Sequence, residues 1–108
     1  MSSAAAGKAL STLLGVNFVN FAGTISVEPV ATTDWASITF SGARHRLLVR
    51  LEGAGAVGAA AQFLDELPAL EVDIPGHILA DLALIAQERD ARGAYAALEL
   101  EALTIEES

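Results

Sequence analysis

The stretch HILADLALIAQER, His77–Arg89, decides the fold. Most of its residues are good helix formers. Yet Ile78, Ala80, Leu82 and Leu84 alternate with His77, Leu79, Asp81 and Ala83, the two-residue period of a strand. The segment from Glu88 to Gly93 that follows is placed like a hairpin connection. We read a strand. A helix here would turn the second half of the chain into the order strand, helix, strand, helix, strand (βαβαβ).

Working outward, Tyr95–Glu106 is a strand in which Leu98 and Leu100 alternate with Glu99 and Glu101, and a bulge near Ala102 would keep Leu103 and Ile105 on the buried face. Upstream, Pro75-Gly76 is a turn after a short extended segment from Leu70 to Ile74. Ala56 to Leu67 reads as a helix with Val57, Ala60, Ala61, Leu64 and Leu67 on one face, closed by Pro68. From Arg44 to Glu52 the chain alternates cleanly. His45, Leu47, Val49 and Leu51 take one face, and Arg44, Arg46, Leu48, Arg50 and Glu52 the other.

Nearer the N-terminus, Ile38 and Phe40 alternate with serine and threonine as a further short strand before a turn at Gly42. Pro29 to Asp34 is expected to be a polar connection. Val16 to Glu28 is expected to be a half-buried strand with Val19, Phe21, Ile25 and Val27 inward. Ser3 is placed to cap a first helix through Leu14, with Gly15 as a left-handed terminator. The sum is an α+β fold in one domain of residues 1–108. It has a mainly antiparallel sheet of five to six strands and two helices, pseudo-duplicated in the order α-β-β-β.

Composition restricts the function. Hydrophobic residues make up 53% of the 108, so apolar surface is ample to offset the entropy of ordering. That fraction is high for so small a chain, and a homo-oligomer is the expected way to cover the excess. The net charge of −8 has the wrong sign for a nucleic-acid backbone or an anionic membrane surface, so neither is expected as a partner. The absence of cysteine excludes disulfides, thiolate metal sites and cysteine nucleophiles. Asn17 and Asn20 interrupt the apolar run from Ala9 to Gly23, which argues against a signal-peptide core, and no run of 18 apolar residues follows. A cytoplasmic protein is expected.

Three groups of residues bear on chemistry. Gly53-Ala54-Gly55-Ala56-Val57-Gly58 matches the G-x-G-x-x-G pattern, follows a strand and opens a helix, with Asp73 about twenty residues on. It resembles the start of a Rossmann dinucleotide-binding unit, which implies a pyrophosphate held by the backbone at Gly53, Gly55 and Gly58. Against it, the preceding strand carries three arginines on one face, and the residues after Asp73 are too few for a second mononucleotide half. No cofactor is expected.

Asp73, His77 and Asp81 are spaced four apart. On a helix they would stack an imidazole between two carboxylates for acid/base work, whereas on a strand His77 and Asp81 would share a face without Asp73. Two histidines without cysteine make no protein-only zinc site. Arg44, Arg46 and Arg50 put three of six cations on one strand face, either as an anion clamp or as cross-strand partners of Glu99 and Glu101.

The first expectation is a non-catalytic, self-associating module that binds a protein or a small ligand. The alternatives are a small acid/base enzyme or anionic-ligand-binding protein using His77 with Asp73 or Asp81, and nucleotide binding at the glycines.

Overall fold

The computed structural model describes residues 2–107. Helix α1 (Ser3–Gly15) is followed by strands β1 (Thr24–Ala36) and β2 (Ser41–Glu52), helix α2 (Ala56–Glu66), and strands β3 (His77–Arg89) and β4 (Tyr95–Glu106). The fold is α+β, and the four strands form one antiparallel sheet in the order β1-β2-β4-β3. HILADLALIAQER is therefore a strand. Two helix–strand–strand units follow one another along the chain, and their second strands, β2 and β4, pair at the centre of the sheet.

The five to six strands and the α-β-β-β order expected above are corrected to four strands. Val16–Phe18 extends α1 as a 3₁₀ turn, because Gly15 stays right-handed (φ −59°) and does not end the helix. The cap is Ser2, whose hydroxyl accepts from the Ala5 N–H at 3.2 Å. Pro29 to Asp34 is not a connection but the outer half of β1. Proline is tolerated there because β1 is an edge strand, and the ladder slips by one residue at Val30. Ile38 and Phe40 alternate without a strand to pair with. They sit in the β1–β2 turn, which closes through Ser37 N–H to the Phe40 carbonyl at 2.7 Å. Of the Leu70 to Ile74 segment only Ile74 pairs, in an isolated bridge to His77. The bulge expected near Ala102 is absent: β4 pairs with β2 without a slip, so Leu103 and Ile105 lie on the face of Glu99 and Glu101.

Both helices cover the same face of the sheet, α1 against β1 and β2, α2 against β2 and β4. Leu10 and Leu14 of α1, Leu47, Val49 and Leu51 of β2, and Leu98 and Leu100 of β4 are fully or almost fully buried between them. The two helical layers meet at Phe18 and Phe63, with ring centroids 4.9 Å apart. Left-handed glycines make the reversals that no other residue adopts without strain: Gly53 (φ 128°) and Gly55 (φ 86°) before α2, and Gly93 (φ 78°) between β3 and β4. Among the described residues no helix is long and apolar enough to cross a membrane.

Candidate functional site

The helix-covered face carries a polar row across one end of the sheet. Thr32 on β1, His45 on β2 and Thr104 on β4 all point inward beneath α1. Thr32 Oγ1 lies 3.2 Å from His45 Nδ1, and Thr104 Oγ1 lies 2.9 Å from His45 Nε2. The Thr104 hydroxyl also stands 3.4 Å from the Ala43 carbonyl, which can only accept. With that proton committed, His45 Nε2–H donates to Thr104 and Nδ1 accepts from Thr32. His45 and Thr104 are fully buried, and α1 passes close above them at Gly7. Burial holds the His45 pKa below its ordinary value, and the nearby His77 adds to the effect while Asp34 opposes it.

His77, at the start of β3, extends the row. Its Nδ1 donates to the Pro75 carbonyl at 3.1 Å, and its buried Nε2 has no protein partner. The expectation that a strand would keep His77 and Asp81 on one face is corrected. The β3–β4 register slips between Leu79 and Asp81, so His77, paired with Glu106, faces the helices, while Asp81, paired with Leu103, faces away. Asp73 lies before the turn and is exposed. Among the described residues, no group of three or more histidines and carboxylates is placed to hold a metal ion.

The glycines form a turn whose N–H groups are partly committed. Gly53 N–H donates to the Ala94 carbonyl at 2.8 Å, and Val57 N–H to the Gly93 carbonyl at 3.1 Å, tying the start of α2 to the β3–β4 hairpin. A cleft of about 390 Å³ lies beside this turn, lined by Asn17, Asn20, Phe21, Gly55, Gln62 and Phe63 among others; Gly53 and Gly58 are not in its lining.

The other face of the sheet has no helix over it, and Arg44, Arg46 and Arg50 all lie there. Arg44 pairs with Glu101 at 3.3 Å, Arg46 with Glu99 at 3.4 Å and Glu101 at 4.0 Å, and Arg50 with Glu28 at 3.3 Å. Pairing with Glu99 and Glu101 is found for Arg44 and Arg46, whereas Arg50 takes Glu28 of β1 instead, so each guanidinium has a carboxylate beside it. At the end of this face nearest the β1–β2 turn, the register aligns Trp35, Gly42, Ile105 and Ile78 in one row across all four strands. Phe40 adjoins Ile78 and Ile105 in a shallow hollow there, and Ile78 and Phe40 are 51% and 54% exposed. Sequence reading missed this cluster because it kept Ile105 on the buried face of β4. It also missed the His45 row, whose signal was a histidine at an inward position of an otherwise aliphatic strand face.

No family model matches the chain, and comparison with curated proteins and with solved structures finds no match.

Proposed function

We propose that the chain is a non-catalytic, self-associating interaction module of the cytoplasm, and that its working surface is the sheet face opposite the helices. One observation carries this reading. An antiparallel sheet is built with one face against a core and the other solvated, but here the outer face ends in a cluster of Trp35, Phe40, Ile78 and Ile105. Exposed apolar clusters rimmed by polar residues mark interaction surfaces. The polar groups nominated for chemistry do not converge. His77 and Asp81 stand on opposite faces of the sheet, and the arginines are matched by carboxylates.

The test is sedimentation velocity of the intact chain over a wide concentration range. The expected result is a concentration-dependent rise toward twice the mass of a single chain. A single species of one-chain mass throughout would overturn self-association.

A further inference from the structure

We propose that two copies of this chain pair by packing their uncovered sheet faces together across a two-fold axis that runs along the strands between β2 and β4. The inference rests on the self-associating reading above and adds the surface and the symmetry.

The edges of the sheet argue against the other common route, addition of strand to strand. β1 contains Pro29 and a slip at Val30, and β3 contains two slips, between Leu79 and Asp81 and between Leu84 and Ala86. Proline and bulges are the devices that block edge pairing. The face has the size a stable contact needs. Four strands about 4.8 Å apart and about 12 residues long at about 3.3 Å per residue cover about 760 Å². Two such faces come to about 1,500 Å², inside the usual range of about 1,200 to 2,000 Å² for specific pairs.

Charge selects the axis. The chain carries a net −8, which opposes self-contact over most of its surface. On this face Arg44, Arg46 and Arg50 are matched by Glu28, Glu99 and Glu101, and the remaining carboxylates, Glu52, Asp81 and Glu88, fall in rows where the partner offers Tyr95, Thr33 and Ser26. All three arginines belong to β2. A two-fold axis across the strands would lay one arginine row on the other. An axis along the strands, midway between β2 and β4, lays β2 of each copy on β4 of the other and β1 on β3.

Taking residues row by row from the register, Arg46 then meets the partner's Glu101, Arg44 the partner's Leu103 and Arg50 the partner's Ala97. Glu99 meets the partner's Leu48, and Glu28 the partner's Ala86. No row opposes like charges. In the apolar row Trp35 meets the partner's Ile78, and Ile105 meets the partner's Gly42, beside which the partner's own Trp35 ring lies. Face-to-face sheets lie about 10 Å apart with strands about 30° from parallel, so the matching is closest near the axis.

Three measurements test this. The parent chain should have the mass of a dimer. Arg46→Glu and Glu101→Arg, each at an exposed or half-exposed position, should each lose the dimer, because each now opposes like charges across the axis. Mixing the two should restore a dimer containing one of each, because Glu at 46 of one copy then meets Arg at 101 of the other, while the second contact keeps the parent pairing of Arg46 with Glu101. Independently, the chain has no cysteine, so Leu48→Cys places a single thiol beside the axis. A bismaleimide with a reach of about 10 Å, the separation of packed sheets, should join two copies, while Gln62→Cys on α2 should not be joined. A parent chain that is a monomer overturns both the inference and the reading beneath it. A dimer whose mixed variants stay apart and whose Leu48→Cys form is not joined overturns the inference alone and leaves self-association standing through another surface.

Discussion

Replacing Gly7 by alanine probes the contact that seats α1 on the buried histidine row. A Cβ at Gly7 would stand 2.9 Å from His45 Nδ1 and 3.3 Å from Thr32 Oγ1. The ring cannot swing aside cheaply. It is fully buried and held at both nitrogens, and each such bond contributes about 0.5–1.5 kcal/mol. Overpacking of this kind costs about 1–3 kcal/mol, whereas alanine gains about 0.8–1.0 kcal/mol over glycine inside a helix. The two effects have opposite signs, so Gly7→Ala alone is a weak test.

Gly58→Ala supplies the missing reference. It makes the same chemical change inside α2, at an exposed position with nothing within 4 Å of the added methyl. Subtracting one variant from the other cancels the propensity gain and leaves the overpacking, about 1–3 kcal/mol. Urea unfolding followed by far-ultraviolet circular dichroism, at one protein concentration because association shifts apparent stability, should place Gly58→Ala above the parent. Gly7→Ala should fall clearly below Gly58→Ala. Equal midpoints for the two variants would refute the tight seating of α1 on His45.

Stability should also depend on pH through His45. Its folded pKa lies below the ordinary value of 6.5 because burial and His77 disfavour the charged ring, so the unfolded chain binds more protons. The contribution is complete above about pH 6.5 and is lost as pH falls from there toward the folded pKa, with a slope of at most about 1.4 kcal/mol per pH unit. His45→Gln should flatten that stretch of the unfolding free energy measured against pH, and an unchanged slope would place the titration elsewhere. Leu100→Ala removes a fully buried side chain from the central strand β4 and should cost about 2–5 kcal/mol in the same urea assay. Arg44→Ala breaks an exposed pair with Glu101 and should cost less than about 1 kcal/mol. A loss as large as that of Leu100→Ala would mean that the arginine face carries more of the fold than its exposure allows.

The most legible strand in the sequence is β2, which pairs on both sides, although in β4, also central, the bulge expected near Ala102 put Leu103 and Ile105 on the wrong face. In β2 the face of Arg44, Arg46 and Arg50 alternates with the face of His45, Leu47, Val49 and Leu51 without a slip, and β2 and β4 pair without one. Both faces of β2 and the Arg44 and Arg46 pairs to Glu99 and Glu101 could therefore be read from spacing alone. An inserted residue in a central strand disrupts two ladders, while at an edge it disrupts one, and all the slips fall on the edge strands β1 and β3. There the period of two breaks, and Pro29 to Asp34 looks like a loop although it is strand. The His45 row was hidden for a different reason. Its members come from β1, β2 and β4, so no local pattern unites Thr32, His45 and Thr104.

The slip in β3 has its own physical cause in the sequence, and it bears on function. Had strict alternation continued from His77, Asp81 would face the helices, and Leu82 and Leu84 would face water. Burying an unpaired carboxylate costs several kcal/mol, and each exposed leucine forfeits about 1.5–3 kcal/mol. One extra residue at Ala80 removes both penalties, sending Asp81 out and bringing Leu82 and Leu84 against the core. It also leaves a spacing of three between the inward Leu79 and Leu82, while the double reading of HILADLALIAQER comes from its good helix formers. The same residue parts His77 from Asp81 and leaves Ile78 and Asp81 together on the uncovered face. The irregularity that dismantles the acid/base pair is thus the one that sets Asp81, in place of Leu82 and Leu84, on the surface on which two copies are proposed to meet.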